Sequence, residues 1–189
     1  SGECVLHGVC GYNCNAASSS HGQFSYIFVV NSPSSKNYIN YSSISRCVNE
    51  NSGAYKTLRN ENGKICYQSI NASMNRCYYR SVMYCYSYSD SNSFTCSLLY
   101  STFADNYANG YTCIRFNSGS GKYEIKYCNI IRNTQSNLGT WGTIYSRGNL
   151  MIKDSCILEN AANTIFCQSS SSYTITISNC TVDKTTNNG

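Results

Sequence analysis

The chain has 189 residues, of which 12% are charged and 41% are apolar, and its formal net charge is +5. One ordinary domain fits this length, and the apolar fraction excludes simple disorder. Its lysines and arginines are scattered and its longest apolar run is Tyr26–Val30, so we predict neither nucleic-acid binding nor membrane insertion.

The first 36 residues contain Cys4, Cys10 and Cys14 beside His7, and no clear repeat. We predict an irregular, cysteine-containing N-terminal segment, or a first coil, over residues 1–36. This cluster is the sole candidate metal site in the chain. An N-terminal segment held by a disulfide is the interpretation that we favour, so we predict no metal ion.

A short template recurs over residues 37–189. Six units begin at Ile44, Met74, Leu98, Ile125, Ile152 and Ile177, and the intervals between them are 24 to 30 residues. Three residues after these starts, only Cys or Ser occurs: Cys47, Cys77, Ser101, Cys128, Ser155 and Cys180. Eight residues after the start, three units have asparagine: Asn106, Asn133 and Asn160. Chance does not readily supply several such columns together.

Apolar and polar residues alternate inside the units, as in "KYEIKY" (Lys122–Tyr127), which is strand spacing rather than helical spacing. Each unit holds two short strands around a bend, followed by a loop and a further apolar stretch. The repeat therefore predicts an all-β, single-stranded parallel β-helix of about six to seven coils. We expect the Cys/Ser column to form one internal file and the three asparagines to form a hydrogen-bonded ladder.

The segments "FADN" (Phe103–Asn106), "IIRN" (Ile130–Asn133) and "ILEN" (Ile157–Asn160) resemble the FxxN repeat of the polymorphic outer-membrane protein family. "GTI" at Gly142–Ile144 is similar to the companion GGA-I motif of that family, and related repeats occur in surface proteins of some protists. The resemblance covers residues 98–185 well and 44–97 loosely. It implies a right-handed parallel β-helix and a passenger-like role at a cell surface.

Thirteen cysteines indicate disulfides in an oxidising compartment, or metal. Adjacent coils lie about 4.8 Å apart, which a disulfide can bridge. The possible bridges are Cys47–Cys77, Cys66–Cys96 and Cys85–Cys113, and a mostly reduced internal stack remains the alternative. Three sequons offer N-glycosylation sites at Asn40, Asn71 and Asn179. We therefore predict an extracellular or cell-surface protein.

Polysaccharide-cleaving enzymes also use parallel β-helices, and hydrolysis of a glycoside needs two neighbouring carboxylates. Asp105 and Glu159 both precede the asparagine of their unit, but the unit that contains Arg132 lies between them. We predict no catalytic residues and no cofactor. The predicted function is a non-enzymatic, rigid scaffold for display, adhesion or end-to-end filament assembly, with itself or surface glycans and proteins as partners.

Two other functions stay open: a carbohydrate-binding adhesin module, and an enzyme resembling polysaccharide lyases or hydrolases. The adhesin requires an outward row of aromatic rings. Tyr84, Tyr86 and Tyr88 alternate along one stretch and share a face of the predicted strand. We predict that this face belongs to the core, and an outward orientation, suited to sugar stacking, is the alternative.

Overall fold

The computed structural model describes residues 2–14, 22–49, 56–77, 81–108, 113–135 and 141–186. These residues form stacked coils whose strands pair in parallel, so the predicted all-β, parallel solenoid is confirmed. The right-handed sense and the number of coils stay predictions. None of the described residues forms a helix with the length and apolar character that crossing a bilayer requires.

The described residues form twenty-two strands: β1 (Glu3–His7), β2 (Cys10–Tyr12), β3 (Gly22–Phe28), β4 (Lys36–Asn40), β5 (Ser43–Ser45), β6 (Val48–Asn49), β7 (Lys56–Glu61), β8 (Lys64–Gln68), β9 (Asn71–Ser73), β10 (Arg76–Cys77), β11 (Ser81–Tyr86), β12 (Phe94–Leu99), β13 (Thr102–Ala104), β14 (Tyr107–Ala108), β15 (Ile114–Lys126), β16 (Asn129–Ile131), β17 (Thr134–Gln135), β18 (Ile144–Lys153), β19 (Cys156–Leu158), β20 (Phe166–Gln168), β21 (Ile175–Ser178) and β22 (Thr181–Val182).

Three sheets run along the solenoid. The largest has eleven strands, in the order β1-β4-β8-β12-β15-β11-β7-β3, with β18 pairing β15, β20 and β21. The second has seven, in the order β2-β5-β9-β13-β16-β19-β22, and the third has four, in the order β17-β14-β10-β6. The long strands β15 and β18 each pass through both halves of the largest sheet, which earlier coils cover with two separate strands.

Residues 2–14 and 22–36 contribute strands to the same sheets. β1 pairs β4, β2 pairs β5 and β3 pairs β7, all in parallel. The described strands of this segment therefore pair with strands of the next coil.

The core includes two apolar files of five residues each, beside the buried residues Leu58, Met83, Ile114 and Ile144 of the other half of the largest sheet. In the largest sheet, Ile39, Tyr67, Leu98, Ile125 and Ile152 lie in register and are buried. In the seven-stranded sheet the buried file is Ile44, Ala72, Phe103, Ile130 and Ile157. Alternate strand residues point inward because successive side chains in a strand face opposite ways.

This register corrects the first two units of the repeat. Leu98 lies beside Tyr67, and Tyr67 beside Ile39, so these units begin at Ile39 and Tyr67 rather than at Ile44 and Met74. The file of the third position is therefore Ser42, Ile70, Ser101, Cys128, Ser155 and Cys180.

Cys47 and Cys77 do not belong to that file, and their predicted placement was wrong. Val48 pairs with Arg76, which places Cys47 beside Asn75, and Cys77 pairs with Asn49 in the four-stranded sheet. In this part of the chain the register follows the apolar residues Ile39 and Tyr67 and not the matching cysteines.

The asparagine file links each coil to its neighbours. Oδ1 of Asn133 accepts hydrogen bonds from the main-chain N–H (3.2 Å) and the side-chain amide (3.0 Å) of Asn106. Nδ2 of Asn133 donates to Phe103 O at 2.9 Å and to Asn160 Oδ1 at 3.0 Å. Asn75 makes the corresponding bonds to Asn106, so the ladder contains one asparagine more than the three that the sequence indicated.

Serine suits the third-position file because its hydroxyl both donates and accepts there. Ser101 Oγ donates to Leu99 O at 2.7 Å and accepts from the N–H of Ile70 at 3.0 Å. Ser155 repeats both bonds, with Lys153 O and with the N–H of Cys128. Cysteine is tolerated because its Sγ is small and makes a similar, weaker contact, as Cys128 does with Lys126 O at 3.2 Å.

We expect Asn133→Ala to lower the free energy of unfolding by about 2–4 kcal/mol, because it leaves buried donors of Asn106 without an acceptor. Urea unfolding followed by circular dichroism measures the change. The matched control is Asn129→Ala in the same coil, which removes an exposed side chain and should cost less than about 0.5 kcal/mol. Equal effects of the two substitutions would contradict the ladder.

Candidate functional site

Two corners recur along the solenoid, and in most coils each is turned by a single residue in the left-handed conformation. The first corner follows the largest sheet, and its residues have φ between +49° and +57° in six coils: Tyr41, Ser69, Tyr100, Tyr127, Asp154 and Asn179. This conformation costs a residue with a side chain about 1–2 kcal/mol. Hydrogen bonds to the next coil offset the cost, because Tyr100 N donates to Lys126 O at 3.0 Å and Tyr127 N to Lys153 O at 3.2 Å.

Three of these corner residues are tyrosines with exposed rings, which we call the corner tyrosines: Tyr41, Tyr100 and Tyr127. Their exposed fractions are 58%, 57% and 43%. The rings of Tyr100 and Tyr127 stack with centroids 4.9 Å apart and planes 17° apart. His7 packs edge-on against Tyr41 at 5.2 Å. A bulky aromatic residue is rare at positive φ, so repeated tyrosine here marks a surface worth a functional interpretation.

A second aromatic row lies on the outer face of the largest sheet. Tyr26, Arg59, Tyr84, Arg115 and Tyr145 occupy one register position in consecutive coils, and we call them the Tyr–Arg file. Arg59 Cζ lies 4.6 Å from the ring centroid of Tyr26, and Arg115 Cζ lies 4.8 Å from that of Tyr145. Such cation–π contacts stabilise by about 0.5–2 kcal/mol each.

The predicted core position of Tyr84 was wrong. Its strand neighbours Met83 and Cys85 point into the core, whereas Tyr84 lies on the outer face. It is nevertheless only 8% exposed, since Lys56 Nζ lies 4.3 Å from its ring centroid and Asn117 donates to its hydroxyl. Burial raises the pKa of its phenol above the ordinary value. Tyr84 in the Tyr–Arg file is thus covered by a cation, whereas Tyr41 and Tyr100 at the corner are each more than half exposed.

Tyr86 and Tyr88 follow Tyr84 at alternate positions along the chain, on its outer side. Tyr86 is 41% exposed at the end of β11, and Tyr88 is half-buried beyond that strand.

The second corner carries charge instead of rings. Its left-handed residues include Arg46, Met74, Asp105, Arg132 and Glu159. Arg132 binds both carboxylate oxygens of Asp105, at 2.8 and 2.9 Å, and this hydrogen bonding holds the pKa of Asp105 below its ordinary value. Asp105 and Glu159 are therefore separated by a coil with a cation, which suits a surface ion pair rather than a pair of catalytic acids.

None of the three predicted coil-to-coil disulfides forms. Cys66 lies in register with Ser97 and Cys96 with Ile65, so Cys66 and Cys96 point to opposite faces. Cys85 lies in register with Phe116, three residues beyond Cys113. The described disulfide instead joins Cys85 to Cys96, two inward residues of the consecutive strands β11 and β12. Cys47, Cys66, Cys77 and Cys113 all lie outside this disulfide.

The N-terminal cysteines are dispersed over the first coil. Cys4 lies in β1 and Cys10 in β2, and both are exposed. Cys14 follows Asn13, which bonds to Ser45 O, so Cys14 lies at the corner position that Cys47 occupies in the next coil. Within the described ranges, no group of three or more Cys, His, Asp or Glu side chains comes together in a way that could hold a metal ion.

The sequon asparagines differ in accessibility. Asn71 and Asn179 are exposed at the start of β9 and at the first corner, whereas Asn40 is half-buried at the end of β4. Asn179 also donates to Asp154 Oδ1 at 2.5 Å.

Comparison of the chain with protein-family models, with curated proteins and with solved structures found no match. The chemistry of the corner tyrosines must therefore be argued from their own geometry. Sequence reasoning missed them because the template shows them only as a variable position between the strand and the Cys/Ser residue.

We expect iodoacetamide at pH 8 to modify Cys4 and Cys10 rapidly in the folded protein and Cys77, Cys128 and Cys167 only after denaturation. Burial raises the pKa of each of these last three thiols to about 11, so at pH 8 they stay in the unreactive thiol form. Mass spectrometry of digested samples measures modification of each cysteine. Equal rates for Cys4 and Cys128 in the folded protein would contradict the placement.

Proposed function

We propose that this protein is a rigid, non-enzymatic scaffold that works outside the cell or at its surface, for display, adhesion or end-to-end assembly. The observation that carries the proposal is the repeated bonding of coil to coil by Asn75, Asn106, Asn133 and Asn160. These inward polar groups bind the neighbouring coil, so they stiffen the solenoid and are not available to a substrate.

The charged and oxidised groups agree with this proposal. The Cys85–Cys96 disulfide supports an oxidising compartment, because intracellular reductants keep most thiols reduced. Asp105 is paired with Arg132 and Glu61 with Arg59, and a carboxylate held by arginine is a poor general base.

We expect antibodies against the protein to label intact, unpermeabilised cells of its source, or to detect it in their medium. Permeabilised cells and an antibody against a cytosolic protein are the controls for intact membranes. Labelling that requires permeabilisation would contradict the proposed location.

The corner tyrosines favour a second candidate function, a carbohydrate-binding adhesin module. Tyrosine rings stack on the apolar faces of sugars, and the rings of Tyr41 and Tyr100 are each more than half exposed on one edge of the solenoid. Tyr84 and Tyr145 of the Tyr–Arg file are unsuited to such stacking because they are only 8% and 4% exposed, under lysine and arginine.

The expected result on an array of immobilised oligosaccharides is binding by the intact protein and loss of that binding in Tyr41→Ala/Tyr100→Ala. Tyr12→Ala is the matched control, since Tyr12 is 66% exposed and lies on a different strand, β2. Release of products from pectin-like or alginate-like polymers would instead support the enzyme alternative.

A further inference from the structure

The corner tyrosines form an interrupted stack. Asn40, Gln68, Leu99 and Lys126 lie in register at the end of the largest sheet, so the residues that follow them occupy the same corner in four consecutive coils. Those residues are Tyr41, Ser69, Tyr100 and Tyr127. A ring is therefore present in the first, third and fourth of these coils, and the second has a serine in its place.

The spacing of the stack defines the size of the gap. The rings of Tyr100 and Tyr127, in adjacent coils, have their centroids 4.9 Å apart, which matches the distance of about 4.8 Å between coils. Tyr41 and Tyr100 are separated by two coils, or about 9.6 Å. One ring inserted above Ser69 would lie about 4.8 Å from each tyrosine, the same separation that Tyr100 and Tyr127 already adopt.

The exposed areas agree with an open gap. Tyr41 and Tyr100, which flank Ser69, are 58% and 57% exposed, whereas Tyr127, stacked on Tyr100 and contacted by Lys126 Nζ at 4.7 Å, is 43% exposed. On its other side Tyr41 meets His7 at 5.2 Å. Tyr100 thus has one face occupied by Tyr127 and the opposite face toward the coil of Ser69, and Tyr41 contacts His7 of the coil on its far side from Ser69.

The residues beside the gap are polar. Ser69 forms its floor, Gln68 lies before it half-buried, and Asn71 lies two residues beyond it and is exposed. A matching ligand has apolar faces for the two rings and hydrogen-bonding groups at its edge, and a pyranose ring has this distribution: C–H groups on its faces and hydroxyls around its rim.

We propose that the gap at Ser69 binds one pyranose residue of a glycan, held between the rings of Tyr41 and Tyr100. This inference rests on the carbohydrate-binding candidate function and adds to it the position of the sugar and the number of rings that the site accepts. Ser69 is the residue that makes the site, because it leaves room where the two flanking coils place a ring.

The substitution that tests the gap most directly is Ser69→Tyr. Tyrosine already occupies this left-handed corner position in three coils, so the variant should fold, and its ring should complete the stack. We expect binding to an array of hexose and N-acetylhexosamine oligosaccharides to fall at least about tenfold, with unfolding in urea unchanged or shifted to higher concentration.

Three further variants separate this site from a general aromatic surface. Tyr41→Ala and Tyr100→Ala should each weaken array binding about tenfold, whereas Tyr127→Ala, which removes a corner tyrosine outside the gap, should change it less than about twofold. Circular dichroism of all variants shows that they remain folded.

The outcomes separate the two levels of the proposal. Suppose that the unaltered protein binds glycans. If Ser69→Tyr then binds them as well or better, or if Tyr127→Ala weakens binding as much as Tyr100→Ala, the sugar binds along the exposed row of tyrosines. The proposal that it binds in the gap at Ser69 would then be wrong. If the unaltered protein binds nothing on the array, the carbohydrate-binding function itself is overturned, together with the site.

Discussion

Hydrogen bonding from each coil to the next at the two left-handed corners is the interaction on which this solenoid depends. The strands of the seven-stranded sheet are only two or three residues long, too short to be stable alone. The left-handed backbone conformation of the corner residues adds a free-energy cost to folding. Side-chain bonds such as Asn133 to Asn160 and Ser101 to Ile70 satisfy the buried amides of the corners, so each turn is tied to the neighbouring coil.

The same corners divide the protein into a constrained interior and a variable exterior. Most inward corner residues are Asn, Ser or Cys, whose side chains bond to main-chain groups of the same or the neighbouring coil, and Ile70 is an exception. The adjacent left-handed residue points outward and accepts tyrosine, serine, arginine, aspartate or glutamate. The outward residues are therefore the ones available for function. They are aromatic rings along one corner, ion pairs along the other, and the Tyr–Arg file on the outer face of the largest sheet.

The fold could be predicted from the sequence where burial and hydrogen bonding inside the coils restrict which residue types a position accepts. From Leu98 onward, core, Ser/Cys and Asn positions keep their character, and the predicted parallel stacking agrees with the structure. Earlier units have Ile70 and Ala72 in those positions, and Cys47 at the ladder position, so a coincidence between cysteines was mistaken for the register. The disulfide and the outward side of Tyr84 depend on which face each residue takes, and a one-residue error reverses that face.

The asparagine ladder also has a consequence for how such a protein changes length. Asn106, Asn133 and Asn160 follow one another at intervals of 27 residues. Each donates its side-chain amide to a carbonyl of the preceding coil, and Asn106 and Asn133 also bond to the next asparagine. Duplication of one such unit within the gene would insert a layer whose upper and lower surfaces already fit their new neighbours. An insertion of any other length would have to be accommodated in a loop, so growth by whole repeats is the change that this architecture tolerates most easily.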